Sequence, residues 1–324
     1  MLRDAHATGE GYLRSPRDGS LQDIVERILT LERDAGVCPD RRLGVSLGFH
    51  LFARQAGDAA AWGGEWIETR PSGPQGWWPA DACTGALFGH LRHIGLAWAC
   101  IGASAGEHVA RLVAAARDEG LGIALRPAPD TLEVVEDSDP GGMTLESLPV
   151  LLDALIARRA GRPAARGESE VLRGLARVTD TELDAAVRWI VDARVTVVSL
   201  ITAAARRASL RQVVHAPNLD VAAGVLPYHS DVARLRAPGA LRTGGREASR
   251  HLDIPVLSRE EERAASTGVE VVRGALRALL AAGADIRPGS GAPGVGLAPG
   301  LAQHEESELF RAGGASTEGE GAGG

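Results

Sequence analysis

Charged side chains in this 324-residue chain lie near the ends of segments that are typical of β-strands, where they could bind a ligand or transfer a proton. Arg126 lies in a strand predicted over 121–127, and Glu146 lies in 144–159, which begins strand-like and continues helical. A guanidinium and a carboxylate at strand ends can clamp a ligand or form a structural ion pair. The sequence alone supports both interpretations equally.

Histidine and aspartate near the two ends of the chain form further candidates. Asp4 and His6 alternate along a predicted strand and would share one face of it; a frayed terminus is the competing interpretation. His304, beside Glu305, can act as a general base or can cap a helix that begins near residue 300. His90 and His93 have the spacing of a metal pair, but no third ligand lies nearby.

Tryptophan is concentrated in 53–82, a long stretch rich in Gly and Pro that has no periodicity. Trp62 and Trp66 in this loop can form the floor of a ligand pocket or pack as a lid. We therefore count both residues, with Asp4, as candidate pocket residues.

Composition restricts the classes of protein to which the chain can belong. The net charge is −7, and all 35 basic residues are Arg. Scattered arginines on an acidic chain do not form the basic stripe that binds nucleic acid, and no apolar run is long enough to cross a membrane. The absence of Lys excludes a Schiff base and a carbamylated-lysine metal bridge. Three cysteines without CxxC spacing, and a first segment without an apolar core, favour a reduced, cytoplasmic protein.

Predicted helices alternate with short apolar segments that are typical of buried strands, which indicates parallel strands with helices outside them. This order fits either an open doubly wound sheet or a (β/α) barrel. Residues 312–324 are low in complexity and predict a disordered, Gly-rich tail. The predicted helices and strands lie at 104–120, 180–193, 258–283 and 300–312, and at 93–102, 121–127, 193–201 and 284–291.

Many of these segments, taken in order, resemble the amidohydrolase superfamily, in particular its imidazolonepropionase-like and prolidase-like branch. The resemblance spans about residues 1–310. It is carried by LRDAHATGEG, DRRLGVSL, AAAWGGEW, AGEHVARLVAAARDEGLGIALRPAPD, TLESL, VRWIVDARVTVVSLITAAAR and VVRGALRALLAAGADIRPGSGAPGVGLAPGLAQHEESEL. It implies a TIM-type (β/α)8 barrel domain over 1–311, in which Zn²⁺ or another divalent metal activates water to attack a C–N bond.

The chain departs from the superfamily at every position where the resemblance implies a metal ligand. It has no His-x-His, and it begins just beyond the strand that carries this motif, so the first strand and the small β-sandwich are expected to be missing. The positions that correspond to ligands are Arg126, Ser147 beside Glu146, and Gly291 beside Ser290. An arginine has no lone pair to donate, so we expect no metal cofactor at this site.

Several functions are compatible with these departures. The chain is expected to be an amidohydrolase-like protein that no longer works as a metallohydrolase and binds a small molecule; it can also form a homo-oligomer. The main alternative is a metal-free isomerase or cyclase that uses Glu146, Arg126 and His6, with Ser147, Ser290 and His304 at the pocket, or a small-molecule-binding protein on the same barrel. An active metallohydrolase whose ligands lie elsewhere in the sequence is the remaining alternative.

Overall fold

A computed structural model describes residues 2–5, 7–8, 32–39, 47–48, 88–89, 92, 98–101, 109–138, 142–165, 167–208, 257–292 and 300–313. These residues form a mixed α/β fold, as the sequence predicts. The strands are β1 Leu2–Asp4, β2 Ala7–Thr8, β3 Val37–Pro39, β4 Leu47–Gly48, β5 Trp98–Ile101, β6 Gly122–Leu125, β7 Met143–Leu145, β8 Thr196–Val198 and β9 Ile286–Arg287. The helices are α1 Val109–Asp118, α2 Pro129–Asp137, α3 Leu148–Arg159, α4 Glu168–Leu175, α5 Asp180–Ala193, α6 Ile201–Ala208, α7 Arg259–Ala281 and α8 Leu301–Ala312.

All pairings between the described strands are parallel. Strands β5 to β9 form one sheet in chain order, while β1 pairs with β3 and β2 pairs with β4. Because every strand of the five-stranded sheet runs in the same direction, their carboxyl ends lie at one edge, where the following helices begin.

The five-stranded sheet has an apolar face and a polar face, which follow from the alternation of side chains along each strand. The apolar residues pack with the helices in the main hydrophobic core, and they are Ile123, Leu125, Met143, Leu145, Val197 and Ile286. Ala124, Thr144, Val198 and Arg287 alternate with them and face the opposite side, where Val198 belongs to a second, small apolar cluster. We call this side the polar face because it carries Thr144 and Arg287.

Strand β1 lies beside β9, at the position that the sequence predicts to be open. The backbone N–H of Ala5 donates a 2.9 Å hydrogen bond to the carbonyl oxygen of Pro288, just beyond β9. Asp4 is buried, so the chain is neither frayed at this residue nor without a strand here. Leu2–Asp4 is a strand and the parallel partner of β3, so these residues belong to the paired strands of the fold.

The periodicity of the sequence predicts most of the described helices, but it misses three. Helix α2 occupies residues that the sequence assigns to an acidic turn at 128–143, α4 follows the loop predicted at 160–168, and α6 follows the strand predicted at 193–201. Pro at the first turn of α2 is compatible with a helix start, because its absent N–H has no partner within the helix there. None of the described helices combines the length and the apolar character that crossing a bilayer requires.

Candidate functional site

A continuous row of contacts joins the carboxyl ends of four neighbouring strands. The N–H of Glu146 donates to the carbonyl oxygen of Leu125 at 2.9 Å, and the N–H of Leu148 donates to that of Ser199 at 3.1 Å. A Cβ added at Gly291 would lie 3.3 Å from the side chain of Leu200. The positions expected to replace metal ligands, Arg126, Ser147 and Gly291, therefore lie along one edge of the sheet.

Arg126 and Glu146 are lateral neighbours at this edge. Leu125 is in register with Leu145, so the next residues along each strand stand side by side. Both alternate with apolar core residues, which places them on the polar face. Glu146 is buried, with 3% of its surface exposed, and Arg126 is half-buried. Among the described residues, none forms an ion pair with Arg126, so the pair is not a salt bridge between these two side chains.

Three turns at the same edge contain residues in the left-handed backbone region. Ser147 follows β7 with φ 66°, Leu200 follows β8 with φ 45°, and Gly291 follows β9 with φ 60°. This conformation is strained for Ser and Leu but readily adopted by Gly. Backbone strain of this kind is concentrated at functional sites, where the surrounding structure imposes it.

Two hydroxyl groups near these turns are buried without a hydrogen-bond partner among the described residues. They are Thr144 Oγ1, in a residue only 2% exposed, and Ser147 Oγ. Thr144 alternates with Met143 and Leu145, so its side chain lies on the same face as Glu146. A buried hydroxyl without a partner loses free energy relative to water unless a ligand or a water molecule bonds to it.

The structure brings together Asp4 and Ser290, which the sequence identifies separately as pocket residues. The N–H of Ser290 donates to Asp4 Oδ1 at 2.9 Å, and Ser290 Oγ accepts from the N–H of Ala292 at 3.0 Å. Gln303 of α8 lies beside them, and its Nε2 donates to the carbonyl oxygens of Arg3 and Pro288. These polar groups therefore hold β1 against β9.

Glu306 is a buried acid that the sequence patterns do not single out. It is fully buried on α8, and its carboxylate accepts hydrogen bonds from the hydroxyl of Ser199, from the N–H of Ile201 at 3.1 Å and from the N–H of Thr202 at 2.7 Å. The last two groups are the first free donors of α6, so the carboxylate caps that helix from outside. Burial raises the pKa of Glu306, and these hydrogen bonds offset part of that rise.

A signal for Glu306 is present in the sequence of α8. The buried residues of this helix recur at Ala302, Gln303, Glu306, Ser307 and Phe310, which is one helical face. Three polar residues on a face with this spacing indicate polar groups that find partners inside the protein.

His304 lies apart from this edge. Its side chain is exposed, and Nε2 is 2.7 Å from the carbonyl oxygen of Ala35, two residues before β3 begins. This contact is at the amino end of a parallel strand, so the structure does not place His304 beside Arg126 or Glu146.

Several sequence predictions fall outside the described residues. They concern His6, the histidines at 90 and 93, Trp62 and Trp66 with most of the loop at 53–82, and the tail beyond residue 313. Over the described ranges, no group of three His, Cys, Asp or Glu side chains is arranged to hold a metal ion.

The fold and this edge define an α/β protein with a parallel sheet, whose strand ends carry a buried carboxylate, a half-buried guanidinium and buried hydroxyls. In comparisons with protein-family models and with curated proteins, no match to the sequence is found.

Proposed function

We propose that this chain is a barrel of amidohydrolase type that binds a small molecule without a catalytic metal. The proposed site is the carboxyl-end edge of the sheet, with Arg126 and Glu146 as its charged residues. Ligands of parallel α/β folds bind at this end, because the helix N-termini and the variable loops meet there. The single observation that carries the proposal is the register between β6 and β7, which makes Arg126 and the buried Glu146 lateral neighbours at the end of the two strands.

Closure of the strands into a barrel is part of the proposal. The sheet runs from β5 to β9, β9 lies beside β1 through Ala5 and Pro288, and β1 pairs with β3. Strand β2 pairs with β4, and β4 lies against β5. These neighbours support closure of the strands into a circle, in which the polar face of the sheet would line the interior. An interior with Thr144, Glu146 and Arg126 is polar at the carboxyl end, as a binding site requires.

The metal-free character is tested on protein purified without metal-chelating resin. We expect elemental analysis to find less than about 0.1 equivalents of Zn, Mn, Fe or Co, and we expect neither EDTA nor added Zn²⁺ to change the melting temperature. A stoichiometric metal that EDTA removes with a fall in melting temperature would show a working metal centre. The known superfamily chemistry on C–N bonds would then be the better proposal.

The binding function is tested by thermal shift with a panel of small acids, amides and amines. A ligand that binds only the folded protein raises the melting temperature. We expect at least one compound class to do so in the wild type and to lose its effect in Thr144→Val, which removes a hydroxyl on the polar face. A shift that persists in this variant would place the ligand elsewhere on the protein.

The position of Glu146 beside Arg126 at the same edge of the sheet also supports a second candidate, a metal-free isomerase or cyclase. A buried carboxylate can take a proton from a ligand while a guanidinium stabilises the negative charge that forms. For this function, Glu146→Gln must abolish turnover of a bound compound and leave its binding within a few-fold of the wild type. Turnover that survives in Glu146→Gln would exclude it.

A further inference from the structure

We infer that the ligand of the proposed site is a small monocarboxylate, which binds through its carboxylate to Arg126. This inference rests on the proposed function, since it names the chemical class of the ligand at the same edge of the sheet. It follows from how the charges on the polar face are paired.

Two arginines lie on the polar face of the sheet, and only one of them is neutralised by an acid within the described ranges. Val198 is in register with Arg287, and Arg287 forms two hydrogen bonds of 3.1 Å to the carboxylate of Asp285. Asp285 also accepts from Thr196 Oγ1 at 2.7 Å, so Arg287 lies against an acid that is itself held in place. Arg126, over the described residues, has neither an ion pair nor a side-chain hydrogen bond.

A half-buried guanidinium is costly to desolvate without an anion, and it offers a planar fork that fits a carboxylate. Helices α2 and α3 add to the positive potential, because both begin at this edge and direct the positive ends of their dipoles toward it. Thr144 Oγ1 supplies an independent observation, since this hydroxyl is buried on the same face without a partner among the described residues. A bound oxygen atom would satisfy it.

The number of uncompensated cations limits the charge of the ligand. A dianion such as phosphate would bring two negative charges to an edge where Arg126 is the one arginine of the described polar face without an ion pair to an acid, and where the neighbouring side chain, Glu146, is itself acidic. A monocarboxylate matches the single uncompensated guanidinium of the described polar face. A ligand N–H or O–H next to the carboxylate would find an acceptor in Glu146.

The test compares matched probes that differ in one group. N-acetylglycine, N-acetylglycinamide and methylphosphonate are titrated up to about 10 mM against the full chain by ligand-observed NMR, at about pH 9 so that the phosphonate is a dianion. We expect the acid to bind, and the neutral amide and the phosphonate to bind at least about tenfold more weakly. Arg126→Gln should lower the affinity for the acid by about 10- to 100-fold. Arg126→Lys, which keeps the charge without the planar fork, should give an intermediate loss.

Arg177→Gln is the matched control, because it removes an exposed arginine from the loop after α4. It should bind the acid as the wild type does. Circular dichroism melts of Arg126→Gln and Arg126→Lys show whether a loss of binding reflects unfolding, and the lysine variant still tests the inference if the glutamine variant unfolds.

The outcomes separate the two proposals. Equal binding of acid and amide, unaffected by Arg126→Gln but lost in Thr144→Val, would overturn the carboxylate inference and leave the proposed site in place. Preference for the phosphonate, or binding by none of the three probes, would also overturn the inference. The broader thermal-shift panel then decides the proposed function on its own.

Discussion

The backbone N–H of Ser290 donates a 2.9 Å hydrogen bond to the carboxylate of Asp4, although the two residues are 286 positions apart. Asp4 ends β1, and Ser290 follows β9, so the bond joins the first described strand to the last. Gln303 strengthens the same junction from α8, since its amide nitrogen reaches the carbonyl oxygens of Arg3 and Pro288 at 2.5 and 3.3 Å. The junction therefore depends on a few buried polar groups.

Reversing the polarity of Gln303 should open this junction. Gln303→Glu replaces a donor with an acceptor that faces two carbonyl oxygens in a fully buried position. We expect a loss of about 3 kcal/mol in the free energy of unfolding, because neither carbonyl keeps its side-chain donor and a buried charge is added. Urea unfolding at neutral pH measures the free energy of unfolding of the wild type and of Gln303→Glu. Glu308→Gln, a change of charge at an exposed residue of the same helix, is the control. Equal stability of the two variants would contradict the role of Gln303.

The left-handed conformation of Ser147 predicts an unusual effect of glycine. An L-residue in this region loses about 1–2 kcal/mol, while the extra freedom of glycine in the unfolded chain costs about 0.4–1 kcal/mol. Because relief of strain outweighs this entropic cost, Ser147→Gly should be more stable than Ser147→Ala, by up to about 1.6 kcal/mol. Both variants lack the buried hydroxyl, and the comparison therefore isolates the backbone. Greater stability of Ser147→Ala in thermal melts would show that φ 66° is not strained here.

Local sequence patterns predict the elements of this fold better than they predict its polar contacts. The spacing of apolar residues locates α5, α7 and the strands around Leu125 and Val197, because burial against helices imposes period 2 or 3.6. Arg126, Glu146 and Ser290 are identified as candidates by the resemblance to the amidohydrolase superfamily, whose ligands lie at strand ends. The partners of Glu306 cannot be identified from local patterns, since Ser199 and Thr202 lie more than 100 positions away along the chain. Such contacts depend on which strands become neighbours, and this is a property of the whole sheet.

Close packing between α7 and α4 predicts opposite effects at two glycines of one helix. A Cβ at Gly268 would lie 2.0 Å from the carbonyl oxygen of Leu172, whereas a Cβ at Gly274 meets no described atom within 4 Å. Gly268→Ala should lower the free energy of unfolding by about 3 kcal/mol, because backbone cannot move aside without separating the helices. Gly274→Ala should raise it by up to about 1 kcal/mol through helix propensity. Thermal melts of the two variants provide the comparison, and equal effects would mean that the helices are not in contact at Gly268.

The buried carboxylate of Glu306 predicts how stability changes with pH. Its pKa is raised in the folded state by burial, so the folded protein binds this proton more tightly than the unfolded chain does. The stabilisation is therefore fully present below the unfolded value of about 4.3 and is lost as the pH rises through the raised folded pKa. Glu306→Gln removes this titration, and it leaves at least one of the donors from Ser199, Ile201 and Thr202 without an acceptor. We expect Glu306→Gln to be less stable than the wild type by about 1–3 kcal/mol at acid pH, with the difference shrinking toward neutral pH.

Urea unfolding of the wild type and of Glu306→Gln between about pH 4 and pH 8 gives the free energy of unfolding of each protein as a function of pH. A difference that grows with pH would mean that the three hydrogen bonds hold the carboxylate in its charged form and outweigh its burial.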